Sequence, residues 1–169
     1  RYVDAGQGAA TAAAGVLRVV RAAGHAAHAP AQQPATRPVR RALRRAVEYA
    51  GQRVVFDRPI GQNQSIQHPL AENWVELEAA GLLIAKAAHL YDSGAPAGGM
   101  ANAAKYFAAE AGFKAATQAV MTLGGMGYAK EYHVERLLRE SLIPRLAPVS
   151  AQMVLNYIAE RVLGLPKSY

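Results

Sequence analysis

Residues 100–140 read MANAAKYFAAEAGFKAATQAVMTLGGMGYAKEYHVERLLRE. Up to Leu123 the apolar residues Tyr106, Ala109, Phe113, Ala116, Val120 and Leu123 recur at three and four, which is one stripe of a long helix. Then Gly124, Gly125 and Gly127 fall within four positions, although glycine weakens helix and strand alike. A glycine just past a helix is an ordinary C-terminal cap, and one glycine needs no further reason. The second and third are better explained by the close approach of a flat or phosphate-bearing ligand to bare backbone. A shorter amphipathic helix follows in YHVERLLRE.

Working outward, the same period appears on both sides. Upstream, PLAENWVELEAAGLLIAKAAHLYDSG places Leu70, Trp74, Leu77, Gly81, Ile84 and Ala88 on one face, with Pro69 suited to a first-turn position. GAPAGG, residues 94–99, joins it to the central helix as a loop. Before it, RALRRAVEYAGQRVVF sets Leu43, Val47 and Ala50 on one face. Downstream, SAQMVLNYIAERVLG makes a last helix that stops at Gly164 and Pro166. Pro144 and Pro148 are expected to interrupt the helix before it, and the prolines at 30, 34 and 38 to forbid helix across their stretch. No convincing strand, internal repeat or heptad run is present. The sequence therefore predicts an all-α fold: an antiparallel helix bundle with long helices and short loops.

Composition sets limits on chemistry. With 169 residues, half of them apolar, there is enough chain for one domain with a real core. The chain has no cysteine, so a disulfide framework, a thiol nucleophile and cysteine-ligated metal are excluded, as suits a reducing compartment. No run of ~20 apolar residues could span a membrane, and RYVDAGQGAATAAAG lacks the order of a signal peptide; a cytoplasmic protein is the expectation. The net charge of +7 lies wholly in residues 1–47, which hold eight arginines and the single acid Asp4. The rest of the chain is balanced. Residues 1–40 are rich in Ala, Pro, Gln and Arg and poor in large apolar side chains, so they read as an atypical basic arm, with a folded domain from 41 to 169.

Few motifs carry chemistry. His25 and His28 lack a third ligand nearby, and no metal site is expected. His68, His89 and His133 stand alone. RPVRRALRR, from Arg37, is basic, but without interleaved aromatics it reads as a solvated helix start with non-specific polyanion binding as a side effect, not as a specific nucleic-acid reader. QRVVFDRPIGQNQSIQHPLAE is more informative. Arg53 is a fixed cationic fork suited to phosphate, Phe56 an aromatic face, and Gln64 an amide that can donate and accept on a heterocycle edge.

RxxF…PIG…Q together with GGMG, and the flanking stretches ALRRAVEYAGQRVVFDRPIGQNQSIQHPLAE and AAKYFAAEAGFKAATQAVMTLGGMGYAKEYHVERLLRE, resemble the C-terminal helical domain of the acyl-CoA dehydrogenases. The resemblance covers residues 41–169. It implies FAD as cofactor, oxidation of an acyl-CoA thioester to the trans-2-enoyl form, assembly as dimers or tetramers, and electron transfer to an electron-transfer flavoprotein. It also implies roles for particular residues. Arg53 and Gln64 match an arginine and a glutamine that contact FAD across the dimer interface, with Phe56 beside them. Met121, Thr122, Leu123, Gly124 and Gly125 match the segment against the adenine–pyrophosphate half. Ser150 and Gln152 match a threonine-and-glutamine region near the flavin.

Three departures stand out. Asp57 replaces a common glycine, and Met121 replaces a frequent glutamine, removing one polar flavin contact. The third concerns the base that removes the α-proton. Many members carry a glutamate where this chain has Pro148, in APVS; others carry it on the first helix, where the count lands on Ala27. No Asp or Glu occurs from Ala5 to Val47. Two upstream domains of the family have no counterpart in this sequence. The expectation is a truncated or frame-shifted product, weak or inactive alone, with a non-catalytic assembly module as the alternative class.

Overall fold

The computed structural model describes residues 36–168. They form α1 (Arg37–Gln52), a hairpin of β1 (Val54–Val55) and β2 (Arg58–Pro59), a 3-10 turn (Ile60–Gln62), α2 (Gln64–Asp92), α3 (Gly98–Leu123), α4 (Gly125–Tyr128), a second 3-10 turn (Lys130–Tyr132), α5 (Val134–Leu146) and α6 (Ala151–Arg161). The expected all-α antiparallel bundle is the fold.

α3 is the axis of the bundle and packs against α1, α2, α5 and α6. Its buried positions explain why. Ala101, Ala104, Ala109, Ala111, Gly112, Ala115, Ala116 and Ala119 point to different neighbours, and small side chains let several helices approach one backbone closely. The larger core residues come from outside: Val39 and Leu43 from α1, Leu70 and Leu77 from α2, Val134 and Leu137 from α5. Leu123 joins them at one end of α3. At its other end a second cluster forms around Ile84, Ala88, Ala101 and Ala104, with Val149 packed against it. The two clusters make the ends of α3 separate neighbourhoods.

Several local expectations are corrected. Pro38 does not forbid helix; it sits in the first turn of α1, where its missing N–H is harmless, so residues 37–40, assigned by composition to the arm, begin the first helix. The rest of that arm, including Ala27, His25 and His28, lies outside the described residues. Pro69 stands inside α2, which already starts at Gln64. Pro144 lies inside α5 without ending it. Val47 and Trp74 match the helical period but are 52% and 56% exposed, so each lies at the edge of its stripe and not in the core.

Asn73 is the one polar side chain buried between Leu70 and Leu77. It is 1% exposed, and neither Nδ2 nor Oδ1 has a partner among the described residues. An unpaired buried amide costs about 1–3 kcal/mol. Asn73→Leu, which keeps the branching and the number of heavy side-chain atoms, is expected to raise stability by about 1–2 kcal/mol, read as a Tm several degrees higher by differential scanning calorimetry. A lower Tm would show that the amide is satisfied in solution.

Candidate functional site

The site forms where α1 ends beside the end of α3. Arg53 takes extended backbone and donates its N–H to the Tyr49 carbonyl at 2.8 Å, which closes α1. Ile60 N–H donates to the Arg53 carbonyl at 2.8 Å, which folds the hairpin back on the helix. Val54 pairs with Pro59 and Val55 with Arg58, leaving Phe56 and Asp57 as a two-residue turn. Both have positive φ, +51° and +62°, as such a turn demands. Asp57 is tolerated there; a bulky aromatic is not at ease in that region. Phe56 is also 93% exposed. A strained, bare aromatic at a hairpin tip points to use by something outside this chain. The hairpin is tied to α2: Arg58 Nη2 donates to Asn63 Oδ1 at 2.7 Å, and Asn63 Nδ2 donates to the Ile60 carbonyl at 2.9 Å.

The three glycines have three different explanations. Gly124 caps α3 with φ +59° and ψ −132°, a conformation glycine alone adopts readily, and donates to the carbonyls of Val120 and Met121. Gly127 is a close approach within the chain: a Cβ there would lie 2.4 Å from the Val120 carbonyl oxygen. Gly125 has neither reason. Its φ is not positive, and a Cβ would meet nothing within 4 Å. Its bare backbone faces open space.

That space is a groove of about 320 Å³. Tyr49, Arg53, Val55 and Ile60 line one side, and residues 121–126 the other. Arg53 and the segment Met121, Thr122, Leu123, Gly124 and Gly125 are thus brought together on one groove. Thr122 and Leu123 turn their side chains into the interior: Thr122 accepts from Gln118 Nε2 at 3.3 Å and Leu123 joins the core, so their main chain is what they offer the groove. Met121 is 70% exposed. Phe56 and Gln64 are exposed and do not line the groove. Tyr49, Val55, Ile60 and Met126 were missed by sequence reasoning. The available signal was their adjacency to Arg53, Pro59 and Gly125.

Ser150 and Gln152 lie elsewhere. Ser150 is the N-cap of α6, its hydroxyl accepting from Met153 N–H, and Gln152 is exposed in the first turn. Lys105 on α3 donates to the neighbouring Val149 carbonyl. Eighteen residues of helix separate Lys105 from Leu123, about 27 Å along the axis. The two groups of flavin candidates therefore sit at opposite ends of α3. Pro148, at one of the two base positions, is exposed beside Val149 and has no proton to exchange.

Burial pushes the Lys105 ammonium below its ordinary 10.5, while Glu110 opposes the shift. Between the lowered value and 10.5 the unfolded chain holds more protons, so stability rises with pH through that window. Lys114, hydrogen-bonded to Glu76 and Glu72, is shifted up instead, so its contribution is complete below 10.5 and is lost only above it. Comparing wild type with Lys105→Met in a series of melts approaching pH 10.5 isolates the first effect. Wild-type stability is expected to gain on the variant as pH rises; a constant difference would remove Lys105 as the source.

Helical bundle and groove together define an α-helical domain with a candidate binding site, and comparison with known proteins gives its family. A family model described as the C-terminal domain of acyl-CoA dehydrogenase matches residues 6–163. The chain belongs to the acyl-CoA dehydrogenase family, as its C-terminal domain. Acyl-CoA dehydrogenase FadE12 of Mycobacterium tuberculosis is 48% identical over 125 residues, 73% of this chain and 32% of that protein. An acyl-CoA dehydrogenase of Bacillus subtilis is 43% identical over 118 residues, 70% of this chain and 31% of its own length. Butyryl-CoA dehydrogenase from Megasphaera elsdenii superposes with a TM-score of 0.79 at 32% identity, over 92% of this chain and 37% of that one. The FAD complex of PigA superposes with a TM-score of 0.72 at 28% identity, over 75% and 33%. The chain spans about a third of the length of the relatives it matches. No helix among the described residues is long and apolar enough to cross a membrane.

Proposed function

We propose that this chain is the cofactor-facing, subunit-joining domain of a flavin-dependent acyl-CoA dehydrogenase, and that the groove at Arg53 receives the pyrophosphate–adenine half of FAD carried by a neighbouring subunit. The observation that carries this reading is Gly125, whose bare backbone borders open space beside a guanidinium. FAD, when bound, supplies the electron acceptor for α,β-dehydrogenation of the acyl-CoA thioester. The residues present suit it. Arg53 would hold phosphate oxygens, the backbone from Gly124 to Gly125 admits a group at contact distance, and Met121, Ile60 and Met126 give apolar walls for a flat ring. Phe56 and Gln64 extend the same surface. Ser150 and Gln152, at the far end of α3, would serve a second flavin position.

Neither family base position offers a carboxylate, and no Asp or Glu lines the groove among the described residues. The isolated chain is accordingly expected to bind without turning over acyl-CoA; an electron-transfer flavoprotein would accept electrons only from a completed enzyme. Two observations favour a single domain over a foreign arm before residue 41: α1 crosses that boundary, and the family match starts at residue 6. Resequencing the coding DNA in all three frames tests this, since a frame-shifted arm would show the family pattern continuing in another frame.

Assembly is the second part of the reading. Val54, Val55, Phe56, Val75, Leu82 and Tyr128 leave large apolar surface uncovered. Sedimentation velocity with and without FAD is the test. FAD-promoted dimers or tetramers are expected; a monomer unaffected by FAD would overturn it, and thioester turnover by the chain alone would overturn the inactive-fragment reading.

A further inference from the structure

The arginines of RPVRRALRR do not form a merely solvated face. Arg37, Arg40, Arg41 and Arg44 line a second groove, of about 930 Å³, between α1, the early part of α2 and α5, where Arg136 joins them. Five arginines face a single acid, Glu140. Leu43, Val47, Leu70, Trp74 and Leu137 supply its apolar surface. This groove shares no lining residue with the one at Arg53.

Three of the cations are already balanced. Arg40 pairs with Glu78, Arg44 with Glu48 at 3.7 Å, and Arg136 with Glu140 at 3.0 Å. Arg37 and Arg41 have no ion pair or hydrogen bond among the described residues. They stand one turn apart, where like charges repel. Arg37 also lies in the first turn of α1, which holds no acid, at the end of the helix dipole that disfavours cations, with Arg41 just beyond it. The arrangement opposes helix stability, so stability does not account for it. Val47 and Trp74 are more than half exposed in the same groove.

We propose that this groove docks an acidic amphipathic helix of a different polypeptide. Its carboxylates pair with Arg37 and Arg41, next to the already paired Arg44, and its apolar face covers Val47 and Trp74. Charge excludes this chain's own first 35 residues, which carry Arg1, Arg18 and Arg21 against Asp4. A second copy set twofold on the groove would place arginine rows against each other. A featureless polyanion would leave the apolar floor uncovered.

Trp74 is the only tryptophan in the chain, so its fluorescence reports on this groove alone. The probe is a synthetic helical peptide with glutamates on one face and leucines on the other. Polyglutamate of equal charge and a heparin oligosaccharide are the comparisons. The amphipathic peptide is expected to shift Trp74 emission to the blue, to protect it from iodide, and to bind at least tenfold more tightly than polyglutamate. Arg41→Glu with Arg44→Glu, both on the exposed face of α1, is expected to weaken binding at least tenfold with unchanged helical circular dichroism. Val47→Asp is expected to remove the preference for the amphipathic peptide. Equal binding of all three probes would overturn the proposal in favour of a polyanion surface. A concentration-dependent blue shift without any probe would overturn it in favour of self-association, and no shift with any probe would overturn it outright.

Discussion

Gly125→Ala is expected to keep the fold and lose the cofactor, while Gly127→Ala destabilises the fold. At position 127 the new methyl would meet the Val120 carbonyl oxygen at 2.4 Å, with main chain on both sides of the clash. Overpacking of this kind costs about 1–3 kcal/mol, which lowers Tm by several degrees for a domain of this size. At position 125 the methyl meets nothing, and the residue is helical, so stability should hold or rise slightly, by less than about 1 kcal/mol. If a ligand lies on that backbone, the methyl displaces it. An FAD titration followed by flavin fluorescence should then show at least tenfold weaker binding for Gly125→Ala at unchanged Tm. Equal FAD affinity for wild type and Gly125→Ala would remove the ligand explanation for this glycine.

Arg53→Glu should have the larger effect on cofactor binding. Arg53 is exposed, its backbone closes α1, and its side chain has no ion pair among the described residues. Substitution therefore leaves the fold intact. A hydrogen bond to a charged group contributes about 1.5–3 kcal/mol, a guanidinium can make two to a phosphate, and reversal adds repulsion. Together these predict FAD affinity lower by a factor of about 100 or more. Arg53→Lys should recover only part of it, because a point charge replaces a fork. If Arg53→Glu binds FAD as well as wild type does, the groove is not where the pyrophosphate lies.

The long helices were legible because three- and four-residue spacing runs through α1, α2 and α3, and the glycine cluster marked the correct end of α3, while the four-residue α4 was too short to show a period. What escaped the sequence was mostly tertiary. Val47 and Trp74 obey the helical period yet stay half exposed, because the stripe is wider than the neighbour that covers it. The prolines misled because position within a turn decides their effect: Pro38 starts a helix, and Pro69 and Pro144 are carried inside one. Strands of two residues have no period to detect, so the hairpin that presents Phe56 was invisible. Arg53 and the segment 121–125, which the family resemblance had grouped, line one groove. Spacing alone could not show that Gly124, Gly125 and Gly127 answer to three different constraints. Nor could it show that Ser150 lies at the opposite end of the bundle from Arg53.

That last separation has a mechanical side. Both neighbourhoods are built on α3, a single unbroken helix clasped by four others. Its length works as a ruler and its winding as a phase. One residue inserted in the middle of α3 would lengthen the ruler by about 1.5 Å but turn one end against the other by about 100°. A seven-residue insertion would nearly restore the phase at the cost of about 10 Å. The helix thus carries a constraint that point substitutions do not test: exposed side chains along α3 can be exchanged one at a time, whereas a change of one in its residue count sets its two ends out of phase.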